Sequence, residues 1–111
     1  MQSIRKIGAN EIEIIEYFIK IGCLKLASSW SQTALIQLID DGGMGSFKIF
    51  ENDSEIKNDR KFGKQIAEYN FVDDDNVVVI VSLNLDQSNK LFEVDIWKTD
   101  YSPVIKIKFP S

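Results

Sequence analysis

The residues best placed to do chemistry are Glu93, Asp95 and Trp97. They occur at every second position of the run Leu91-Phe92-Glu93-Val94-Asp95-Ile96-Trp97-Lys98. An alternation of period two describes a strand with two different faces. Phe92, Val94 and Ile96 suit a core. Glu93, Asp95 and Trp97 are costly or wasted when buried without a use. Paired carboxylates have three chemical uses: meeting an arginine or lysine patch, binding a cation, or dividing acid and base roles. Trp97 adds a large apolar area and an N–H donor, the makings of a binding anchor.

Composition removes much of the remaining chemistry. The chain has 111 residues and no histidine, so Ser-His-Asp and Cys-His mechanisms are excluded, as are zinc sites of the Cys/His kind. Any hydrolase would rely on carboxylates, lysines or a carboxylate-held cation. Cys23 is the one cysteine, which forbids an internal disulfide. It follows a helical segment among apolar neighbours and reads as a small buried hydrophobe. Acidic residues number 17 and basic residues 13, a formal charge of −4. That balance disfavours direct nucleic-acid binding and suits a basic protein partner.

The length predicts one domain over 1–111, large enough for a single core without metal or disulfide support. No apolar run approaches the ~20 residues of a membrane span. The amino terminus lacks the pattern of a signal peptide, so a cytoplasmic protein is expected.

Residues 10–21 read as the one long helix, with Asn10 as N-cap and Glu13 completing a capping box. Ile12, Ile15, Phe18 and Ile19 form its apolar stripe, and Gly22 is placed to end it. A connector over 24–31 leads to strands at 33–39 and 46–50, a hairpin around Asp40-Asp41-Gly42-Gly43-Met44-Gly45. This glycine run lacks the lysine and hydroxyl of a phosphate loop, and no helix follows it. Residues 51–64 read as a solvated loop whose Arg60, Lys61 and Lys64 make a basic cluster. Strands follow at 65–72, 77–85 and 91–98, joined by Asp- and Asn-rich turns. In the tail, 99–111, Val104, Ile105 and Ile107 suggest an edge strand between Pro103 and Pro110.

Apolar faces then set the register. Ser82 is expected opposite Glu93, Ile80 opposite Asp95, and Tyr69 opposite Val79, with a three- or five-residue loop at the Asp-rich turn. The opposite face would carry Glu68, Asn70, Val78, Ile80, Ser82, Asn84, Glu93, Asp95 and Trp97, with Lys98 turned away from it. Glu68, Ile80 and Asp95 would share one row, the carboxylate strands roughly 9–10 Å apart. The fold expected is α+β: an amino-terminal helix packed on a mainly antiparallel, roughly five-stranded sheet.

Several short motifs carry a family resemblance. They are Asp41-Gly42-Gly43-Met44-Gly45-Ser46, Phe62-Gly63, Glu68 with Phe71 and Asp73, and 91–98 with Asp100 and Ser102-Pro103. Together they resemble a family of small bacterial proteins described only as a domain of unknown function. Such families look like immunity proteins of bacterial toxin systems, including contact-dependent growth inhibition. The resemblance implies a non-enzymatic inhibitor that binds one cognate toxin domain, a basic nuclease, without cofactor or metal. It would act as a monomer in a heterodimeric complex. Register and charge, rather than the family, nominate Glu68, Asn70, Glu93, Asp95, Trp97 and Asp100 as the partner-binding residues. The competing expectations are a small-ligand or carboxylate-enzyme pocket on the same face, and an oligomer contact through Trp97.

Overall fold

The computed structural model describes residues 3–110. Met1, Gln2 and Ser111, the ends of the expected 1–111 domain and its tail, lie outside the described residues. The elements run β1 (Ile4–Lys6), α1 (Ala9–Lys20), the short α2 (Trp30–Thr33), β2 (Leu35–Leu38) and β3 (Phe47–Phe50). A 3-10 turn (Asp53–Lys57) precedes β4 (Phe62–Val72), β5 (Val78–Asp86) and β6 (Leu91–Lys98). The sheet has six antiparallel strands in the order β1-β2-β3-β6-β5-β4. The α+β class is as expected. The added strand is β1, whose three residues are too few to show an alternation.

Helix α1 packs on one face of this sheet. Ile14, Ile15 and Phe18 are buried with Ile36, Phe47, Ile49, Val79, Val81, Leu83, Val94 and Ile96 in one apolar cluster. Each such side chain contributes roughly 1.5–3 kcal/mol relative to exposure. The expected stripe is rotated: Ile14 joins it, while Ile12 and Ile19 flank it half-buried. The N-cap is Gly8, not Asn10. The Gly8 N–H donates to the Glu11 carboxylate at 2.8 Å, so Glu11 takes the role expected of Glu13. The Ile7 N–H is held by the Ala34 carbonyl at 3.2 Å, which fixes where the chain leaves β1 and starts to wind. At the other end Gly22 adopts φ +83°. The Cys23 N–H reaches the Phe18 carbonyl and the Gly22 N–H that of Ile19, both at 3.0 Å, a Schellman closure. This leaves Cys23 exposed, contrary to expectation.

Two turns share one design. Asp73 and Val77 close a loop of residues 74–76, with Asn76 at φ +68°. Asp86 and Lys90 close 87–89, with Asn89 at φ +64°. Asparagine tolerates this left-handed geometry better than most side chains. Of the three- and five-residue loops expected at the first turn, the three-residue form is present.

The register differs from expectation by two residues. Ser82 faces Asp95, Ile80 faces Trp97, Asn84 faces Glu93 and Tyr69 faces Val81. An even shift preserves every face along the regular part of these strands. Between β4 and β5 the shift comes from the Asp73–Val77 closure. Between β5 and β6 one residue of it comes from the Asp86–Lys90 closure and one from an irregularity at Asn84/Leu85, where Leu85 pairs with Leu91 and Phe92 is the extra residue. Phe92 is therefore outside the main core. Its ring lies 5.2 Å from the Arg60 guanidinium carbon and 6.0 Å from the Lys48 ammonium.

Arg60 is not part of a solvated basic cluster. Its Nε donates to Asp86 at 2.9 Å, and its other nitrogens to the carbonyls of Ile49 and Leu91. Lys61 and Lys64 remain exposed. Nor is the tail a strand. The Asp73 carboxylate accepts the N–H groups of Ile105 and Lys106, at 2.8 and 3.1 Å. Those N–H groups are thereby diverted from any ladder. Val104, Ile107 and Phe109 instead pack on the core beside α1.

Candidate functional site

The sheet face away from α1 is open, and its residues fall into rows. Glu68, Ser82 and Asp95 form one row across β4, β5 and β6; Asn70, Ile80 and Trp97 form the next. Gln65, Asn84 and Glu93 form a third, which continues through Lys48 to Gln37. The structure thus brings Glu68, Asn70, Glu93, Asp95 and Trp97 to one face, as predicted. Asp95, rather than facing Ile80, is a neighbour of Ser82.

Individual contacts separate these residues. Glu93 accepts from Asn84 Nδ2 at 3.0 Å and is half-buried. Asp95 lies 3.3 Å from Ser46 Oγ. Glu68 and Asn70 are exposed. The row geometry keeps Glu68 and Asp95 about two strand spacings apart, roughly 9–10 Å between backbones. A surface cleft of about 330 Å³ lies elsewhere, among Leu26, Trp30, Thr33, Ile49, Glu51 and Leu91. None of the nominated residues lines it. Among the described residues, no group of three or more acidic, cysteine or histidine side chains could hold a metal ion.

Asp100 has a structural task. It sits after β6, and its carboxylate accepts the Ser102 hydroxyl at 2.6 Å and the Ser102 N–H at 3.0 Å. These bonds, the hydroxyl first, hold its pKa below the usual carboxylate range. The turn they make sets Tyr101 at φ +64°, with its N–H on the Lys98 carbonyl at 2.8 Å. Tyr101 thereby lies against Trp97, ring centroids 6.1 Å apart and planes inclined by 52°. Trp97 is 39% exposed and Tyr101 70%. Val72 and Val78, paired with each other on the open face, are also exposed. The outcome is an uncovered apolar corner bordered by Glu68, Asp95 and Asp100.

Tyr101 and Val72 were missed in the sequence. For Val72 and Val78 a signal existed, since they are apolar positions on an otherwise polar face. For Tyr101 none existed, because its placement depends on a left-handed backbone.

The motif residues scattered through the sequence support this corner from behind. The Asp41 carboxylate gathers the N–H groups of Met44 and Ser46, each at 3.0 Å. Gly43 has φ +85°, and a Cβ there would sit 3.3 Å from the Pro103 ring. Ser46 Oγ accepts the Ile96 N–H at 2.8 Å, bridging the glycine loop to β6. Lys98, fully buried, donates to Asp73 at 2.9 Å, Asp75 at 2.7 Å and the Pro103 carbonyl at 3.1 Å. Burial by itself would raise the Asp73 pKa. The N–H groups of Ile105, Asp74 and Lys106 and the Lys98 ammonium outweigh it and hold Asp73 well below the usual range. Burial likewise opposes the charge on Lys98, and Asp75 and Asp73 overcome it, raising its pKa.

Fold and site define a small α+β protein with an exposed aromatic corner on an acidic sheet face. The chain belongs to the family Domain of unknown function (DUF6984), whose model matches residues 4–108. No curated protein and no solved structure matches it. No helix among the described residues is long and apolar enough to cross a membrane.

Proposed function

We propose that the chain is a cytoplasmic immunity protein that neutralises a cognate bacterial toxin domain, a basic nuclease, by stoichiometric binding. The observation that carries this reading is the uncovered Trp97–Tyr101 corner with Glu68, Asp95 and Asp100 around it. Exposed aromatic anchors release water on docking and dominate many interfaces. The surrounding carboxylates select a partner bearing arginine or lysine and speed its approach. The net charge of −4 acts in the same direction at longer range. The carboxylates serve docking rather than catalysis, since they are spread over an open sheet face.

Co-expression with a candidate toxin domain, sought in the gene immediately upstream, tests the reading. The expected result is protection of the host and loss of nuclease activity at a one-to-one ratio. Trp97→Ala and Asp95→Ala variants should bind that domain more weakly. Wild-type affinity in both variants would reject this placement of the interface, and a failure to inhibit would reject the function.

A further inference from the structure

The two edges of the sheet are unlike. β1 is three residues long and carries Arg5 and Lys6, a short and charged edge of the kind that resists pairing. β4 is 11 residues long. Its first half is blunted by register shifts at Phe62/Lys64 and Gln65/Ala67. From Ala67 to Val72 the pairing with β5 is regular.

Which backbone groups of this half are free follows from the turn beside it. The Asp73 N–H bonds the Val77 carbonyl at 2.9 Å. In an antiparallel ladder, bonded and non-bonded pairs alternate. Phe71, Tyr69 and Ala67 therefore direct their N–H and C=O groups at β5. Glu68, Asn70 and Val72 direct theirs outward. Two contacts agree with this assignment: the Val78 carbonyl, opposite Val72, accepts from Thr99 on the β6 side at 3.0 Å, and the Val72 carbonyl accepts from Lys108 Nζ at 3.1 Å. Among the described residues, no hydrogen bond outside the ladder reaches the backbone of Glu68 or Asn70.

We propose that this half of β4 receives an extended, basic segment of the partner protein as a seventh strand. The inference rests on the reading of the chain as a protein-binding inhibitor and adds the mode of attachment. The backbone groups of Glu68 and Asn70 and the Val72 N–H supply pairing, the Val72 carbonyl being held by Lys108, and the side chains of the same residues supply selectivity. Glu68 is exposed on the open face and calls for a lysine or arginine beside it on the added strand. Val72, 49% exposed, calls for an apolar residue. A strand in this position continues the surface that ends at Trp97.

A short peptide of alternating lysine and valine is the probe, followed by the backbone amide resonances of the intact protein. Saturable shifts at Glu68, Asn70 and Val72 are expected. N-methylation of alternate peptide amides should weaken binding roughly tenfold or more, by removing ladder bonds. Replacing the peptide lysines by glutamate should also weaken it. Asn70→Pro removes an outward N–H without touching the β5 ladder and should abolish the response. If that variant does not fold, Glu68→Lys serves, and should reverse the charge preference. Equal binding of the N-methylated peptide, shifts confined to Trp97 and Tyr101, or self-association through β4 without peptide would each overturn strand addition. A toxin domain that still depends on Trp97 in that case leaves the docking corner standing and removes only the edge.

Discussion

The two ends of the β4–β5–β6 hairpins are built alike and finish differently. Each has an Asp opening a three-residue loop, an Asn in the left-handed region, and a buried cation on the Asp. At one end Asp86 meets Arg60, which also lies 3.8 Å from Glu55 and packs over the rings of Phe50 and Phe92. The guanidinium there points its donors into the protein and covers the rings of Phe50 and Phe92, while Phe62, paired with Asp86, stays 57% exposed. At the other end Asp73 meets Lys98, and the aromatic pair Trp97–Tyr101 is left in solvent. The same turn chemistry thus leaves a lone exposed ring at one end and a pair of exposed rings in contact at the other. The cations at both ends are scaffold. What distinguishes the second end is a group of exposed apolar residues, Trp97 and Tyr101 with Val72 and Val78.

The largest effect should come from opening the second end. Asp73→Ala leaves the Lys98 ammonium buried with less compensation and frees two tail N–H groups, so a loss of about 3–5 kcal/mol in urea denaturation is expected. Tyr101 should also become mobile, seen as loss of its contact with Trp97 in nuclear Overhauser spectra. Arg60→Ala should cost about 3 kcal/mol by the same logic at the first end, yet leave the Trp97–Tyr101 contact intact. Equal disturbance of that contact by both substitutions would erase the distinction between the ends.

Acid should weaken both ends. Burial raises the pKa values of Asp73 and Asp86, but hydrogen bonds to each carboxylate overcome this and depress them. For Glu55 the Lys90 hydrogen bond is the largest cause, and its pKa is also depressed. A carboxyl group with a depressed folded pKa contributes its stability fully above the unfolded value of about 4, and that contribution is lost as pH falls toward the folded value. Stability should therefore decline below about pH 4, and Asp73→Asn should flatten the decline. An unchanged slope in that variant would show that other groups carry the acid response.

The smallest effect on stability, and the largest on binding, belongs to the exposed corner. Trp97→Ala and Tyr101→Ala should stay within about 1 kcal/mol of wild type in denaturation. Affinity for the proposed toxin partner should fall by about 2 kcal/mol, or roughly thirtyfold. Asp100→Ala should weaken binding through Tyr101, by releasing the turn that Ser102 completes.

The α+β class, helix α1 and the bounds of β6 were legible in the sequence, as was the grouping of Glu68, Asn70, Glu93, Asp95 and Trp97 on one face. These follow from period and parity, which depend only on neighbours along the chain and survive a two-residue shift of register. The fate of the long polar side chains was not legible. Arg60 read as a solvated base because its partners, Asp86 and the carbonyls of Ile49 and Leu91, are distant in sequence. Phe92 read as core because one extra residue in β6 is invisible until Leu85 and Leu91 pair. The tail read as a strand because nothing local shows that Asp73 takes its N–H groups. The alternation in 91–98 by itself determined that Glu93, Asp95 and Trp97 share a face, because successive strand side chains must point to opposite sides. Only the tertiary structure decided that Tyr101 joins Trp97 while Arg60 covers Phe92, since cover for an exposed ring comes from residues far along the chain.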